Sequence, residues 1–585
     1  MGSRTPTHRL RWAILLIGAA VVVLVAYTGY QALNARRNLQ RVAADFTTLA
    51  GQLTSGNQAG APQTLADVQQ HADAARGDTR GPGWWAATKL PGVGRDVVAV
   101  RTVADVSDEL AGRVLPDVVR ATAALRPDRL RPRNGRIDLA PISAVAPGVV
   151  RASDRLAQQS RRVGLIDTER LLGPVAAPVR QLQVRLRDAT ALAARASRAV
   201  RLLPPMLGAS GPRTYLMYFA NNAEVRSTGG LPGSFATVIA RDGTVTLGNQ
   251  GNAASVGRFS RPPVPLTADE QTLFGANMGI LPQDTNFTPD FPRTAELLAG
   301  MWNAGHRTKV DGVLATDPVA LSYLLRGTGP VALPGGQQLT SQDAVSMLLN
   351  RVYAAIADPV RQDDFFGAAA RSVFTAVSSG QGQPRSVLEN LVTAADQRRI
   401  LLWSDRPKEQ ALLAPTRIGG SLPTRASAAP DVGVFLNNGG GSKLDYYLDD
   451  RVDVASDRCQ AGRQHLTVTV HLRSQVPAEV AALAESITGP SVGMPRGTIR
   501  VTLYVYAPVG GYVAGATYDG ERRDLDQLSQ DGRPLVSQTV DLEPGSRHTL
   551  TYAMVSGKGQ RERTHLQVTP GARSDGIGSV GPSAC

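Results

Sequence analysis

The sequence is short of cysteine, lysine and histidine, and each shortage closes off a class of chemistry. Two cysteines, Cys459 and Cys585, cannot by themselves build a thiolate zinc site. Of seven histidines, only His306 falls in the central part of the chain, and no carboxylate is spaced around it as a triad would require. No H-E-x-x-H, G-x-S-x-G or dinucleotide fingerprint occurs, so protease, hydrolase and dehydrogenase readings have no support. Lysine occurs five times, so the basic excess of 14 is carried almost wholly by arginine. These basic residues are not interleaved with aromatics, which argues against nucleic acid as a partner. Positive charge of this kind still attracts acidic polymers and lipid phosphates.

Charge is also missing from Trp12 to Ala35, where the centre reads Ile14-Leu-Leu-Ile-Gly-Ala-Ala-Val-Val-Val-Leu-Val-Ala26. A helix of about 22 such residues reaches about 33 Å, the thickness of a hydrocarbon core. The expectation is a cytoplasmic tail over 1–11 and a transmembrane helix over 12–33. The bulk of the chain then lies outside the cell membrane, behind a single-pass anchor with its N-terminus cytoplasmic. A cleaved signal peptide is the alternative, against which stand the length of the run and the lack of a small-x-small site. In an oxidising setting Cys459 and Cys585 are expected to pair, tying the C-terminus to the last domain.

Beyond the anchor the patterning predicts a multidomain α+β chain. Leu39, Val42, Phe46, Leu49 and Leu53 form one helical seam, and Val100, Val103, Val106, Leu110 and Val114 a second, so 34–205 reads as a helical region. Strand-like runs such as Thr214–Phe219, Phe235–Ala240 and Val310–Thr316 then alternate with helical ones, predicting an α/β layered domain over 206–425. The alternation of His465–Leu472, Gly497–Tyr506, Leu535–Leu542 and His548–Val555 predicts a β-sandwich over 430–585.

Three segments carry candidate chemistry. Asn221-Asn222-Ala-Glu224-Val-Arg226-Ser-Thr-Gly229-Gly230-Leu-Pro-Gly-Ser234 joins two strands. Its glycines can free backbone N–H groups for an anion, while Arg226 has the fork geometry to hold an acidic group. The structural alternative is a loop whose polar side chains serve its own backbone and whose arginine pairs with Glu224. In Leu281–Arg293, Asp284 and Asp290 could ligate Mg²⁺ through oxygen, with Asn286 and Arg293 beside them; an Asx-rich loop is the alternative. Arg361-Gln362-Asp363-Asp364 follows Pro359, and its acidic pair could equally cap a helix.

These residues resemble a known family. Asn221–Gly230, Asp284–Asp290, Val310–Leu321, Gly327–Val331 and Phe435–Leu448 are similar to the bacterial domain of unknown function 4012 (DUF4012), which brings no known activity. More distantly, the order of strand, arginine loop, Asp-Thr loop and Arg-Gln helix resembles the LytR–CpsA–Psr family. Those are membrane-anchored enzymes that move envelope glycopolymers from polyprenyl-diphosphate lipids onto the cell wall. That resemblance implies Arg226, Asp284 and Arg361 as catalytic residues, with Asp284 on Mg²⁺; Asp290 is the second candidate ligand from the residues themselves. Asn221, Asn222, Glu224, Gly229, Gly230, Asn286, Arg293 and Gln362 would then contact substrate. Gln283 stands where that family has an arginine, which removes a charge-assisted contact of about 1.5–3 kcal/mol. The expectation is therefore a cell-envelope protein that binds a phosphate-bearing, lipid-linked or acidic glycopolymer without catalysis, with polyprenyl-phosphate lipids, cell-wall polymers or envelope proteins as partners. The alternative is a glycopolymer phosphotransferase.

Overall fold

A computed structural model of the protein describes residues 7–55, 59–126, 130–333, 335–490, 493–573 and 575–585. The chain divides into two compact units, 1–130 with 138–205, and 131–137 with 206–585.

The first unit is helical. Thr7–Ser55 is one continuous helix of 49 residues, followed by helices Ala61–Asp78, Pro82–Ala87, Gly94–Arg113, Leu115–Ala124, Ala140–Gly164 and Gly173–Met206. The 3-4 spacing of apolar positions explains the packing: Val42 and Leu49 bury against Ala61, Val68 and Ala72, with Phe46 and Leu53 beside them. Val106, Leu110 and Val114 meet Ala152, Leu156 and Leu186 in a second cluster.

The expected membrane span over 12–33 is corrected here, and the single-pass, N-inside localisation falls with it. Among the described residues no helix is long and apolar enough to cross a membrane. The apolar run gives way after Ala26 to Thr28, Gln31, Asn34, Arg36 and Arg37, while the helix itself runs on to Ser55. A span needs about 20 predominantly apolar residues. Thr28 and Leu24 lie against Gly83, where a Cβ would collide with the Thr28 hydroxyl. Of the expected tail over 1–11, residues 1–6 lie outside the described residues.

The second unit begins with a mixed sheet. Strands β1 (Arg213–Asn221), β2 (Leu231–Arg241) and β3 (Thr244–Asn252) run antiparallel in succession. Asp242 and Gly243 turn the β2–β3 hairpin with φ of 47° and 80°, as a two-residue primed turn requires. Helix Phe291–His306 then crosses to β4 (Gly312–Thr316), which lies parallel to β1 because a parallel neighbour can be reached only by such a crossover. A short hairpin, β5 (Val331–Ala332) and β6 (Gln338–Leu339), follows, and β7 (Ile400–Ser404) closes the order β3-β2-β1-β4-β7. Leu216, Tyr218 and Phe235 bury one face against Phe291, Leu298 and Met301. On the other face Phe219 packs with Leu321, Leu348 and Val373 of the helical layer. Residues 344–355 form three short helical pieces, Ala344–Ser346, a π-helical turn Met347–Arg351, and Val352–Ala355.

Two further sheets share one apolar core. They are built from β8 (Asp431–Asn438), β9 (Leu448–Gln460), β10 (Arg463–Ser474), β11 (Ile499–Tyr506), β12 (Tyr512–Tyr518), β13 (Glu521–Arg523), β14 (Leu528–Gln530), β15 (Arg533–Leu542), β16 (Arg547–Val555), β17 (His565–Val568) and β18 (Ile577–Val580). The orders are β13-β12-β16-β10-β9-β18 and β14-β15-β11-β8-β17. Period-2 patterning sends Leu466, Val468, Val470 and Leu472 of β10 inward to meet Val501, Leu503 and Val505 of β11. β8 is buried along its whole length, because Phe435 on its other side packs against Leu273, Leu422 and Tyr506. Cys459 on β9 is disulfide-bonded to Cys585, with Cα atoms 5.0 Å apart. The architecture is multidomain α+β, with helices N-terminal and several sheets.

Candidate functional site

The loop between β1 and β2 gathers the polar residues that the sequence singles out, and the fold turns most of them inward. Arg226 is only 7% exposed. Its Nη1 donates to the Val225 carbonyl (3.1 Å), Nη2 lies 3.6 Å from Asp284 Oδ1, and its guanidinium sits 4.6 Å over the Phe287 ring. Burial raises the Asp284 carboxyl above its ordinary range, and Arg226 opposes that shift. Asn222 donates to Asp317 Oδ2 (3.2 Å) and the Pro570 carbonyl (3.1 Å). Asn286 donates to Thr228 Oγ1 and the Gly230 carbonyl. Glu224 pairs with Lys443 at 3.1 Å. Asn437 at the end of β8 accepts from the Ser227 amide and donates to the Phe287 carbonyl. Gly229 has φ of 134°, and a Cβ on Gly230 would lie 2.5 Å from the Asn222 amide nitrogen. The glycines let this loop press against its own strand and against β8, so it works as a clasp.

The remaining expected residues do not converge on it. Asp290 accepts from the Leu422 amide (2.8 Å), and burial pushes its carboxyl up to about 6. Arg293 is spent on Glu270, Glu296 and the Pro265 carbonyl. Gln362 donates to the Ile356 carbonyl (2.6 Å), whereas Arg361 is exposed near the start of helix Pro359–Ser378. Among the described residues no group of three or more His, Cys, Asp or Glu side chains forms a ligand set for a metal.

The open site lies beside the clasp, over β1–β3. A cavity of about 280 Å³ lies between these strands and the helical layer, with Phe219, Leu321, Leu348 and Phe366 among its walls. Its rim is polar and held in place by internal bonds. Asn252 donates to Asp363 Oδ2 (2.8 Å), Gln250 donates to the Gly367 carbonyl (3.1 Å), and Arg371 donates to Gln250 Oε1. Asn221 reaches the same cavity and donates to the Tyr353 hydroxyl (3.0 Å). Ser234 and Asp364 also line it, and among the described residues neither side chain has an internal partner. The π-helical turn supplies Leu348 and Leu349 to the wall, a feature that often marks functional sites.

The doublet Asp363-Asp364 was open in sequence to a capping role. The structure gives that role to Asp358, which accepts from the Val360 amide (3.0 Å), and leaves the doublet on the cavity rim. Gln250, Tyr353, Phe366 and Arg371 are absent from the sequence-based site. Gln250, Tyr353 and Arg371 are single residues on regular elements with no motif around them, and Phe366 lies just past the Arg361–Asp364 segment.

No curated protein and no solved structure matches the chain. Nothing in the comparisons supports the more distant LytR–CpsA–Psr resemblance. Residues 210–353, which span β1 to the π-helical turn and reach Tyr353, match the family model described as "Protein of unknown function (DUF4012)".

Proposed function

We propose that the second unit is a non-catalytic binding module that takes a sugar unit of an acidic glycopolymer into the cavity over β1–β3. The observation that carries this reading is the composition of the rim and walls. Planar, hydrogen-bonding side chains (Asn221, Gln250, Asp363, Asp364) stand beside aromatic walls of Phe219 and Phe366. Carboxylates and amides suit sugar hydroxyls, which both donate and accept, and aromatic faces suit the apolar C–H side of a ring. At about 280 Å³ the cavity falls just below the ~300–1,000 Å³ of drug-sized sites, so it suits one ring and not a long segment. Binding is favoured over phosphoryl transfer because Arg226, Arg293 and Arg361 do not converge, so a diphosphate would meet no arginine clamp.

The test is an oligosaccharide array followed by titration calorimetry on the full chain. The expected result is binding of hexose or N-acetylhexosamine oligosaccharides that Asp364→Ala weakens about tenfold or more, as losing a hydrogen bond to a charged group implies. Asp364 is exposed, so that variant should fold normally. Silence across the array, or unchanged affinity in Asp364→Ala, would overturn the reading.

A further inference from the structure

A second cavity of about 260 Å³ adjoins the first. It is lined by Leu231–Gly233 of β2, by Asn252 and the residues that follow β3, and by Arg258, Pro282 and Gln283. Gly233 lines both cavities. The register of the hairpin explains why they are neighbours. Ser234 pairs with Asn252 and Phe235 with Gly251. The first cavity therefore takes residues 234–235 and 250–251, and the second takes 231–233 of β2, Asn252 at the end of β3 and the helix start that follows it. The hydrogen bond from Asn252 to Asp363 joins a wall of the second cavity to the rim of the first.

The two cavities differ in charge. The first holds two carboxylates, Asp363 and Asp364, against one cation, Arg371, which is already committed to Gln250. An anionic group would be repelled there. The second holds no carboxylate and one cation, Arg258, which is exposed and has no ion-pair or hydrogen-bond partner among the described residues. Gln283 adds a neutral donor and acceptor beside it. A guanidinium with free N–H groups facing a carboxylate-free cavity is suited to a phosphate or carboxylate oxygen pair.

We infer that the second cavity is an anion subsite, in which Arg258 and Gln283 hold a phosphate or carboxylate borne on the unit that adjoins the sugar in the first cavity. This rests on the sugar-binding reading above and deepens it, since it fixes where the acidic group of the polymer lies. The chain would then read a pair of features in order, a hydroxyl-rich ring and then a negative charge. Gly233 sits at the junction. A Cβ placed on it meets nothing closer than Leu231 Cδ2 at 3.9 Å, so a larger side chain can be placed there without disturbing the backbone.

The experiment compares three disaccharide probes of one core on the full chain: neutral, with a phosphate on one unit, and with a carboxylate on that unit. Calorimetry should give about tenfold tighter binding for an anion-bearing probe than for the neutral one. Arg258→Ala should remove that gain and leave neutral affinity unchanged, and Gly233→Leu should remove it by closing the junction. The phosphate and carboxylate arms report which anion the subsite prefers. Equal binding of neutral and anionic probes, or a preference that survives Arg258→Ala, overturns the anion subsite while sparing the sugar site. Failure of every probe, neutral included, overturns the sugar-binding reading and the subsite with it.

Discussion

Arg399 Nη1 donates to Asp317 Oδ2 across 2.8 Å, and both side chains are almost wholly buried, at 2% and 3% exposure. The pair joins parts of the chain that are far apart in sequence. Asp317 caps helix Pro318–Thr328 through the Ala320 amide (2.7 Å) and accepts from Asn222 of the clasp. Arg399 also donates to the Gly571 carbonyl (3.1 Å) beyond β17. Removing one member strands a buried charge, which costs about 3–5 kcal/mol. Arg399→Met should therefore lower the free energy of unfolding measured in urea by that amount, and Arg399→Met with Asp317→Asn should cost less than Arg399→Met alone.

Arg226 is expected to matter for stability and not for ligand binding. Its guanidinium lies against Phe287, Val225 and Asp284, not in the cavity. Arg226→Ala should destabilise the chain by roughly 1–3 kcal/mol through lost packing and an unpaired Asp284. At temperatures well below unfolding, oligosaccharide affinity should remain at the wild-type value. A selective loss of affinity in a fully folded Arg226→Ala variant would return the loop to the binding site.

Local patterns made much of the strand structure readable. Alternation in Leu466, Val468, Val470 and Leu472 marks β10 because a strand presents every second side chain to one face. Asp242-Gly243 marks a hairpin because both residues can adopt positive φ. The inward turn of Arg226 leaves no such trace. An arginine in a glycine-rich loop reads the same whether it faces solvent or Phe287, and the partners that decide between these lie at Asp284 and Phe287, some sixty residues on. The cavity rim is harder still, because Gln250, Asp363 and Arg371 meet only once helix Pro359–Ser378 packs on β3. The apolar run near the N-terminus misled because freedom from charge was read as apolarity, although Thr28, Gln31 and Asn34 lie within the uncharged stretch.

Two glycines three residues apart should respond in opposite ways to the same substitution. At Gly230 a Cβ would intrude on the backbone of Asn221 and Asn222, where no flexible side chain can move aside. Gly230→Ala should cost about 1–3 kcal/mol or more. At Gly233 the nearest atom to a Cβ is 3.9 Å away, so Gly233→Ala should be nearly neutral. Thermal melts of the two variants side by side measure this contrast, and equal losses would contradict the close approach at Gly230.

The disulfide closes a long segment, with 126 residues of sequence separation between Cys459 and Cys585. A loop of that size restricts the unfolded chain strongly, so the double variant Cys459→Ser, Cys585→Ser should lose about 2–4 kcal/mol. The tail it anchors also holds β18 against β9, through Gly581 donating to the Val454 carbonyl (2.8 Å) and Ala584 to Ser456 Oγ (3.1 Å). Hydrogen exchange at Ile577–Val580 should therefore accelerate more than exchange in β10. Uniform acceleration across both sheets would mean that the bond acts on the unfolded chain alone.

Asp445 should give the second unit a pH-dependent stability. Burial is the main cause that pushes its carboxyl up to about 7, against the opposing hydrogen bonds from Asn438 and Val225. Both bonds fall on Oδ2, from Asn438 Nδ2 at 2.6 Å and the Val225 amide at 2.9 Å, while Oδ1 is buried without a hydrogen-bond partner. A proton on Oδ1 thus leaves the clasp intact. Between about pH 4 and pH 7 the folded state keeps this proton while the unfolded chain has released it, so the contribution is full below the ordinary carboxylate range and is lost as pH rises to about 7. Asp445→Asn places an uncharged amide in the same geometry, with its oxygen at Oδ2, and removes this dependence. Urea unfolding at pH 5 and pH 8 should show a smaller loss of stability in the variant than in the wild type. Asp290, raised to about 6 by its own burial, sustains part of the slope in both proteins, so the difference between them isolates Asp445. Parallel pH profiles for the two proteins would show that Asp445 is already ionised in the folded state at pH 5, and that the clasp tolerates a buried charge.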